Sequence, residues 1–296
     1  MIRPGDLYRA ALAVTDPVTI PIGNARLAAR AKADPQAVRD RRAAALTRGI
    51  EWFKQQRMIE VSGLMLLQAT YEAGLDNRLS FIEDAIARYR AENPGFRERL
   101  FDPSFAYDPT QDPYGLRYRD ENSWQVFEHP LDTIMRRCLY SDRLGLGAEF
   151  LEELKSLEDG GGYGTTHAIV GGRLLLRFSN IEAGAIRAVM QETAPRIAAA
   201  NRGARHGDLF AERILVLQWL GRDDLIDPVW IERMTVAQLD DGGWGGKPLL
   251  RGPVANQHTT AIAVTVLAQD LTGRIVPEPD RVAEPAPYPQ VQGASA

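Results

Sequence analysis

The chain of 296 residues is 45% hydrophobic and 25% charged, an ordinary globular composition that can bury a sizeable core as one large domain or two modest ones. A net charge of −4 and scattered arginines disfavour nucleic-acid binding, and no apolar run reaches the roughly 18 residues of a membrane helix. The single cysteine, Cys138, excludes an internal disulfide and any Cys-x-x-Cys motif.

Residues 1–33 carry three prolines and lack the apolar core of a signal peptide, which predicts an N-terminal arm and a cytoplasmic location. The pair Asp34-Pro35 is typical of a helix N-cap followed by the first helical residue. It predicts a long helix that ends near Gln56. The spacing of apolar residues predicts the buried stripe of this helix, which consists of Val38, Ala45, Leu46, Ile50 and Phe53.

The same helical periodicity recurs through most of the remaining sequence. It predicts helices over 60–73, 79–90, 130–140, 147–157, 166–178, 182–200, 208–220, 228–238 and 257–271. Sustained strand alternation is absent from the sequence, so we predict an all-α fold. The helical domain is predicted over 34–272, with a flexible Pro/Ala-rich tail over 273–296. Cys138 falls inside a predicted amphipathic helix, as a buried hydrophobe more than a nucleophile.

The segment 101–124 differs from its surroundings, because it contains three Asp-Pro pairs and several aromatic residues. Asp-Pro pairs interrupt helices and favour turns. A loop of this length in a compact domain is often a lid over a functional site. The alternative is a surface excursion held in place by its aromatic residues.

Two segments of the chain resemble each other, Ser156–Leu175 and Gln238–Thr265. Each contains Asp-Gly-Gly, then an aromatic-Gly pair, then a histidine next to two threonines. Such self-similarity predicts repeated helical hairpins of an α/α toroid or solenoid. The glycine-rich context predicts an exposed Trp244, whereas a structural interpretation packs this ring between adjacent hairpins.

The segment QLDDGGW, Gln238–Trp244, resembles the Q-x-x-D-G-x-W turn of squalene–hopene cyclase-like and prenyltransferase-like α/α barrels. In that family the turn closes an outer helix before an inner helix begins. The earlier copy is degenerate, with Ser156 in place of the Gln and Tyr163 in place of the Trp. The sequence lacks the family's Asp-rich acid motif and its zinc ligands. The resemblance therefore supports a toroid fold more than it supports the family's chemistry.

The chain has four histidines, and each lies at a predicted helix start: His129, His167, His206 and His258. In a toroid the N-termini of alternate helices converge at one end of the cavity. The pattern thus predicts a multi-histidine site for a divalent transition metal, Zn, Fe or Cu. A helix N-terminus disfavours imidazolium, and metal binding requires the neutral ring. The alternative is that each histidine is an ordinary residue of a first helical turn.

Helix dipoles would also repel a metal cation, so we expect carboxylates to assist the histidines. The candidates beside the histidines are Glu128, Asp132, Asp159, Asp208, Asp240 and Asp241. We predict catalytic roles as acid, base or hydrogen-bond donor for Asp208, Asp159, Asp241 and Tyr163. For the aspartates of the Asp-Gly-Gly turns, we favour the alternative that the side chain caps the turn.

Three functional hypotheses follow from these patterns. The first is a metal-dependent enzyme with an open coordination position for water, dioxygen or a substrate oxygen, acting on a small apolar or aromatic substrate. The second, implied by the resemblance, is a metal-free cyclase-like or lyase-like enzyme with an Asp or His as the acid. The third is a non-catalytic toroid that serves as a binding scaffold. Chelation and metal analysis distinguish the first from the other two.

Overall fold

The computed structural model describes residues 20–93, 96–105, 130–204, 207–245 and 254–282, which contain twelve α-helices and no β-strand. The predicted all-α class is therefore confirmed for this part of the chain. The helices are α1 (20–33), α2 (Pro35–Lys54), α3 (Val61–Glu72), α4 (Ile82–Glu92), α5 (Pro130–Leu139), α6 (Ser141–Leu144), α7 (Phe150–Ser156), α8 (Tyr163–Phe178), α9 (Ala183–Arg202), α10 (Asp208–Trp219), α11 (Pro228–Val236) and α12 (Gln257–Thr272). Within the described residues, none of these helices is long and apolar enough to cross a membrane.

The predicted helix starts agree with the structure where a cap is present. Asp34 is the N-cap of α2, and its Oδ1 accepts a hydrogen bond from the Ala37 amide at 2.9 Å. The whole predicted stripe of α2 is buried. Helix α1 was not predicted, because residues 20–33 fall in the segment interpreted as an arm. Most of the predicted loop, 106–124, lies outside the described residues.

The chain groups into two compact units, and its length allows either one large helical domain, as predicted over 34–272, or two modest ones. Unit 1 contains Met1–Ala87 and Gln191–Pro277, and unit 2 contains Arg88–Met190 and Glu278–Ala296. The boundaries fall within α4 and α9. Helical periodicity shows which face of a helix is buried, but it does not show which other helix covers that face.

Unit 1 is built around α12, which packs against α2, α3, α10 and α11. Every residue from Thr259 to Gln269 is buried, as expected for a helix surrounded by others. Several polar residues in this core are paired with each other. Thr70 and Thr265 share a hydrogen bond of 2.8 Å, and the Gln269 amide donates to Gln218 at 2.7 Å. Such pairing removes most of the cost of burying a polar group.

Unit 2 is built around α8, which packs against α5, α6, α7 and the 3-10 turn Leu157–Gly160. Its most buried charged residue is Arg99, which donates two hydrogen bonds to Asp142 at 2.7 and 2.6 Å. The guanidinium also lies 4.8 Å from the ring centre of Tyr140 and 4.6 Å from that of Phe178. A bidentate carboxylate and two aromatic faces together compensate for the desolvation of the arginine.

Cys138 also lies in the core of unit 2, where it is fully buried. Burial raises the pKa of its thiol, although nearby Arg137 acts in the opposite direction. A buried thiol of raised pKa is neither a ready nucleophile nor a ready metal ligand. The interpretation of Cys138 as a small buried hydrophobe is confirmed.

Each central helix follows one of the two repeated turns. The glycine of each aromatic-Gly pair lies close to a backbone carbonyl. Gly245 lies next to the carbonyl of Val254, and Gly164 lies next to the carbonyl of Leu157. A Cβ atom at either position would overlap the carbonyl oxygen. The repeated glycine thus has a steric explanation that requires no ligand.

Trp244 is only 2% exposed, which corrects the expectation of an exposed ring and agrees with the structural interpretation, in which the ring is packed. Its Nε1 donates to the carbonyl of Met234 at 2.8 Å, and its amide donates to Thr260 Oγ1 at 2.9 Å. Gln238, at the start of the turn, donates to the carbonyls of Ala45 and Gly242 at 2.8 Å. The turn therefore joins α2, α11 and α12 within unit 1.

Gly49 of α2 leaves the space that the Trp244 ring occupies. A Cβ atom at this position would lie 2.7 Å from Cζ3 of Trp244 and 2.9 Å from Cγ2 of Val264. We expect Gly49→Ala to lower the free energy of unfolding by about 1–2 kcal/mol, because overpacking outweighs the helix propensity of alanine. The matched control is Gly23→Ala in α1, where a Cβ meets nothing within 4 Å. Urea denaturation monitored by circular dichroism checks both variants, and equal effects would contradict the prediction.

Candidate metal centre

Two carboxylates lie on one face of α10. This helix begins at Asp208, and Glu212 follows one turn later, so the two side chains project from the same side of the helix. Asp208 is 22% exposed and Glu212 is 3% exposed. The first helical turn is a favourable position for the negative charge of Asp208.

The first turn of α12 presents His258, and the residues around this histidine are held by side-chain hydrogen bonds. Asn256 is the N-cap, and its Oδ1 accepts from the Thr259 amide at 2.7 Å. The Gln257 side chain donates to the Met58 carbonyl at 2.8 Å. Thr260 Oγ1 donates to the Asn256 carbonyl at 2.6 Å. The backbone that carries His258 is thereby fixed on both sides.

The packing of α10 against α12 brings Asp208, Glu212 and His258 together. One potential ligand atom from each residue lies within 4.8 Å of the other two. Nε2 of His258 is 3.8 Å from Oδ2 of Asp208. The other ring nitrogen, Nδ1, is buried and has no hydrogen-bond partner among the described residues. A buried polar atom of this kind is uncommon and requires an explanation, such as an ion or water.

The distances suit a small cation after a slight adjustment of the side chains. An ion with ligand distances of about 2.0–2.2 Å holds its ligand atoms no more than about 4.4 Å apart. The set provides two carboxylates and one imidazole. Carboxylates suit Mn²⁺ and Mg²⁺, and imidazole suits Zn²⁺, Fe²⁺ and Cu²⁺. The mixed set therefore favours Zn²⁺, Fe²⁺ and Mn²⁺, whereas the sequence predicted Zn, Fe or Cu alike from several imidazoles.

Of the other three predicted histidine ligands, only His167 lies within the described residues. His167 lies in unit 2, on α8, and its Nδ1 is 2.9 Å from the carbonyl oxygen of Tyr163. The rings of Tyr163 and His167 pack edge to face, with their centres 6.0 Å apart, and Tyr163 is 41% exposed. His129 and His206 lie outside the described residues. The multi-histidine site stays a prediction, which the metal content of a His167→Ala variant tests.

The predicted carboxylates of the Asp-Gly-Gly turns lie outside the group formed by Asp208, Glu212 and His258. Asp241 accepts hydrogen bonds from the Gly243 amide at 2.9 Å and from Trp52 Nε1 at 3.3 Å, as a turn-capping side chain does. Asp159 and Asp240 are exposed. Glu128 and the side chain of Asp132 lie outside the described part of the chain.

Glu212 was not among the predicted carboxylates, because it lies inside a strongly apolar helix and not beside a histidine in the sequence. The signal that was present is the spacing Asp208-x-x-x-Glu212, which places two carboxylates on one helix face.

Comparisons of this chain with protein-family models, with curated proteins and with solved structures find no match.

Proposed function

We propose that this protein is a metal-dependent enzyme whose divalent transition metal is bound by Asp208, Glu212 and His258. The observation that supports the proposal is the convergence of three ligand atoms within 4.8 Å, from two helices that pack together in the core of unit 1. Three protein ligands leave coordination positions open, which distinguishes a catalytic site from a closed structural one.

The roles of the protein side chains follow from their positions. When bound, a divalent ion in such a site polarises a substrate oxygen or activates a water molecule for attack. Asp208 and His258 are partly exposed at 22% and 33%, so a small molecule can approach these two residues. Glu212 is buried and would anchor the ion from the protein side. Because a carboxylate can bind through one oxygen, the second oxygen of Asp208 stays available for a hydrogen bond.

The spacing of Asp208 and His258 also supports a second candidate function. A carboxylate 3.8 Å from an imidazole nitrogen can serve as an acid–base pair without a metal. This arrangement corresponds to the metal-free cyclase-like or lyase-like enzyme among the hypotheses from the sequence. In that case Asp208 would orient the ring, and Glu212 would have no direct role.

Elemental analysis of the purified chain distinguishes the two candidates. We expect near-stoichiometric Zn, Fe or Mn in the protein as isolated, or after incubation with these ions and removal of the excess. The His258→Ala variant should lose the metal while its helical circular dichroism is retained. A protein that stays metal-free under both conditions overturns the proposal, and the acid–base enzyme and the binding scaffold then remain.

We also propose, as the sequence pattern suggests, an α/α toroid with a turn like that of the squalene–hopene cyclase-like family. The support is the Gln238–Trp244 turn, which connects α11 and α12 and is held by the side chains of both end residues. The small apolar or aromatic substrate is proposed from the composition of 101–124. The cytoplasmic location likewise stays a prediction.

A further inference from the structure

Thr259 contacts the candidate metal centre from a buried position. It follows His258 in the first turn of α12 and is 2% exposed. Its Oγ1 lies 2.8 Å from Oδ1 of Asp208. An ionised carboxylate only accepts hydrogen bonds, so the hydroxyl must be the donor.

This hydrogen bond gives the two oxygens of Asp208 different roles. Oδ1 is held by Thr259, and Oδ2 faces the imidazole of His258 at 3.8 Å. Rotation of the carboxylate would break a hydrogen bond to a charged acceptor, which is stronger than one between neutral groups. The hydrogen bond from Thr259 therefore opposes this rotation and keeps Oδ2 of Asp208 directed towards His258.

Thr259 is itself held in place. Its amide donates to the N-cap side chain of Asn256 at 2.7 Å, which fixes the backbone of the turn. As a β-branched residue on a helix, threonine has few allowed side-chain rotamers. A single helical turn thus carries one ligand, His258, and the group that orients a second ligand, Asp208.

We propose that Thr259 is a positioning residue of the metal centre, which orients Asp208 so that only Oδ2 binds the ion. This inference rests on the proposed function, because it requires a metal bound by Asp208 and His258. Hydrogen-bond partners of metal ligands typically account for 10–100-fold in metal affinity. A purely structural Thr259 would contribute to stability and leave that affinity unchanged.

The test compares two substitutions at Thr259 with one elsewhere on the same helix. Thr259→Val retains the shape and removes the hydroxyl, and Thr259→Ser retains the hydroxyl. The control is Thr265→Val, which removes another buried hydroxyl of α12, the one bonded to Thr70. Zn²⁺ titration by calorimetry gives the affinity of the whole chain, and the visible absorption of bound Co²⁺ reports the coordination geometry.

We expect the Kd for Zn²⁺ to rise 10–100-fold in Thr259→Val, with an altered Co²⁺ spectrum. Thr259→Ser should restore both to nearly wild-type values, and Thr265→Val should leave both unchanged. If Thr259→Val does not fold, Thr259→Ala takes its place under the same criterion. If Thr259→Val binds Zn²⁺ with the wild-type affinity, or if Thr259→Ser does not restore that affinity, the inference about Thr259 is overturned and the proposed function is not. Failure of the wild-type chain to bind either ion overturns the proposed function and the inference with it.

Discussion

Saturating Zn²⁺ or Mn²⁺ is expected to raise the thermal stability of unit 1, since an ion bound by α10 and α12 binds only the folded protein. At a free-ion concentration of 100 times the Kd, the free energy of unfolding rises by about 2.7 kcal/mol. For a protein of this size, that corresponds to roughly 5–10 °C in the unfolding midpoint. Differential scanning calorimetry, with and without the ion, measures the increment. The whole increment should disappear in Asp208→Asn, Glu212→Gln and His258→Gln.

The control for these substitutions is Asp224→Asn. Asp224 is an exposed carboxylate of the same unit, paired with Arg222 at 2.8 Å, and it lies outside the candidate centre. This variant changes the net charge by the same amount as Asp208→Asn, and it should retain the full increment because it leaves the three ligands intact. A variant of His258 that keeps the increment would show that the ion binds elsewhere. Equal loss in the three carboxylate variants, Asp224→Asn included, would indicate a nonspecific charge effect.

The sequence predicts the helices of this protein well because their ends are encoded locally. Asp34 and Asn256 cap α2 and α12 through their own side chains, and Gly74 and Gly273, which follow α3 and α12, have positive φ. These signals act within a few residues, so they are visible without the tertiary structure. The division into two units is not visible in this way, because it depends on which apolar faces pack together.

The same limit applies to the candidate centre. His258 was predicted as a functional residue from its place at a helix start, and Asp208 from its place beside a histidine in the sequence. The structure brings the two together. Glu212 and Thr259 were missed, because their relation to His258 and Asp208 depends on the packing of α10 against α12. The spacing of Asp208 and Glu212, one helical turn apart, is a local signal for Glu212. The repeat includes Thr259 as one of the two threonines beside the histidine, but no local pattern predicts its hydrogen bond to Asp208.

Trp244→Ala is expected to be the most destabilising single substitution we predict in unit 1. The side chain is 2% exposed, fills the space beside Gly49 and donates a hydrogen bond to Met234. Removing it leaves a cavity where α2, α11 and α12 meet and removes the indole hydrogen bond to the Met234 carbonyl, which then accepts only from the Ala237 amide at 3.2 Å among the described residues. Large-to-small substitutions of this type lower the free energy of unfolding by about 3–5 kcal/mol. Urea denaturation followed by circular dichroism measures the change.

The internal repeat provides the matched control, Tyr163→Ala. Tyr163 occupies the corresponding position of the earlier copy, and it is 41% exposed. Because most of the stabilisation by an aromatic side chain comes from the apolar area it buries, this substitution should cost about 1 kcal/mol or less. If the two variants lose similar amounts of the free energy of unfolding, this would contradict the conclusion that Trp244 belongs to the core and Tyr163 does not. The expected difference means that the two turns share a sequence pattern and a steric role for glycine, while only the later copy uses its aromatic residue as part of the core.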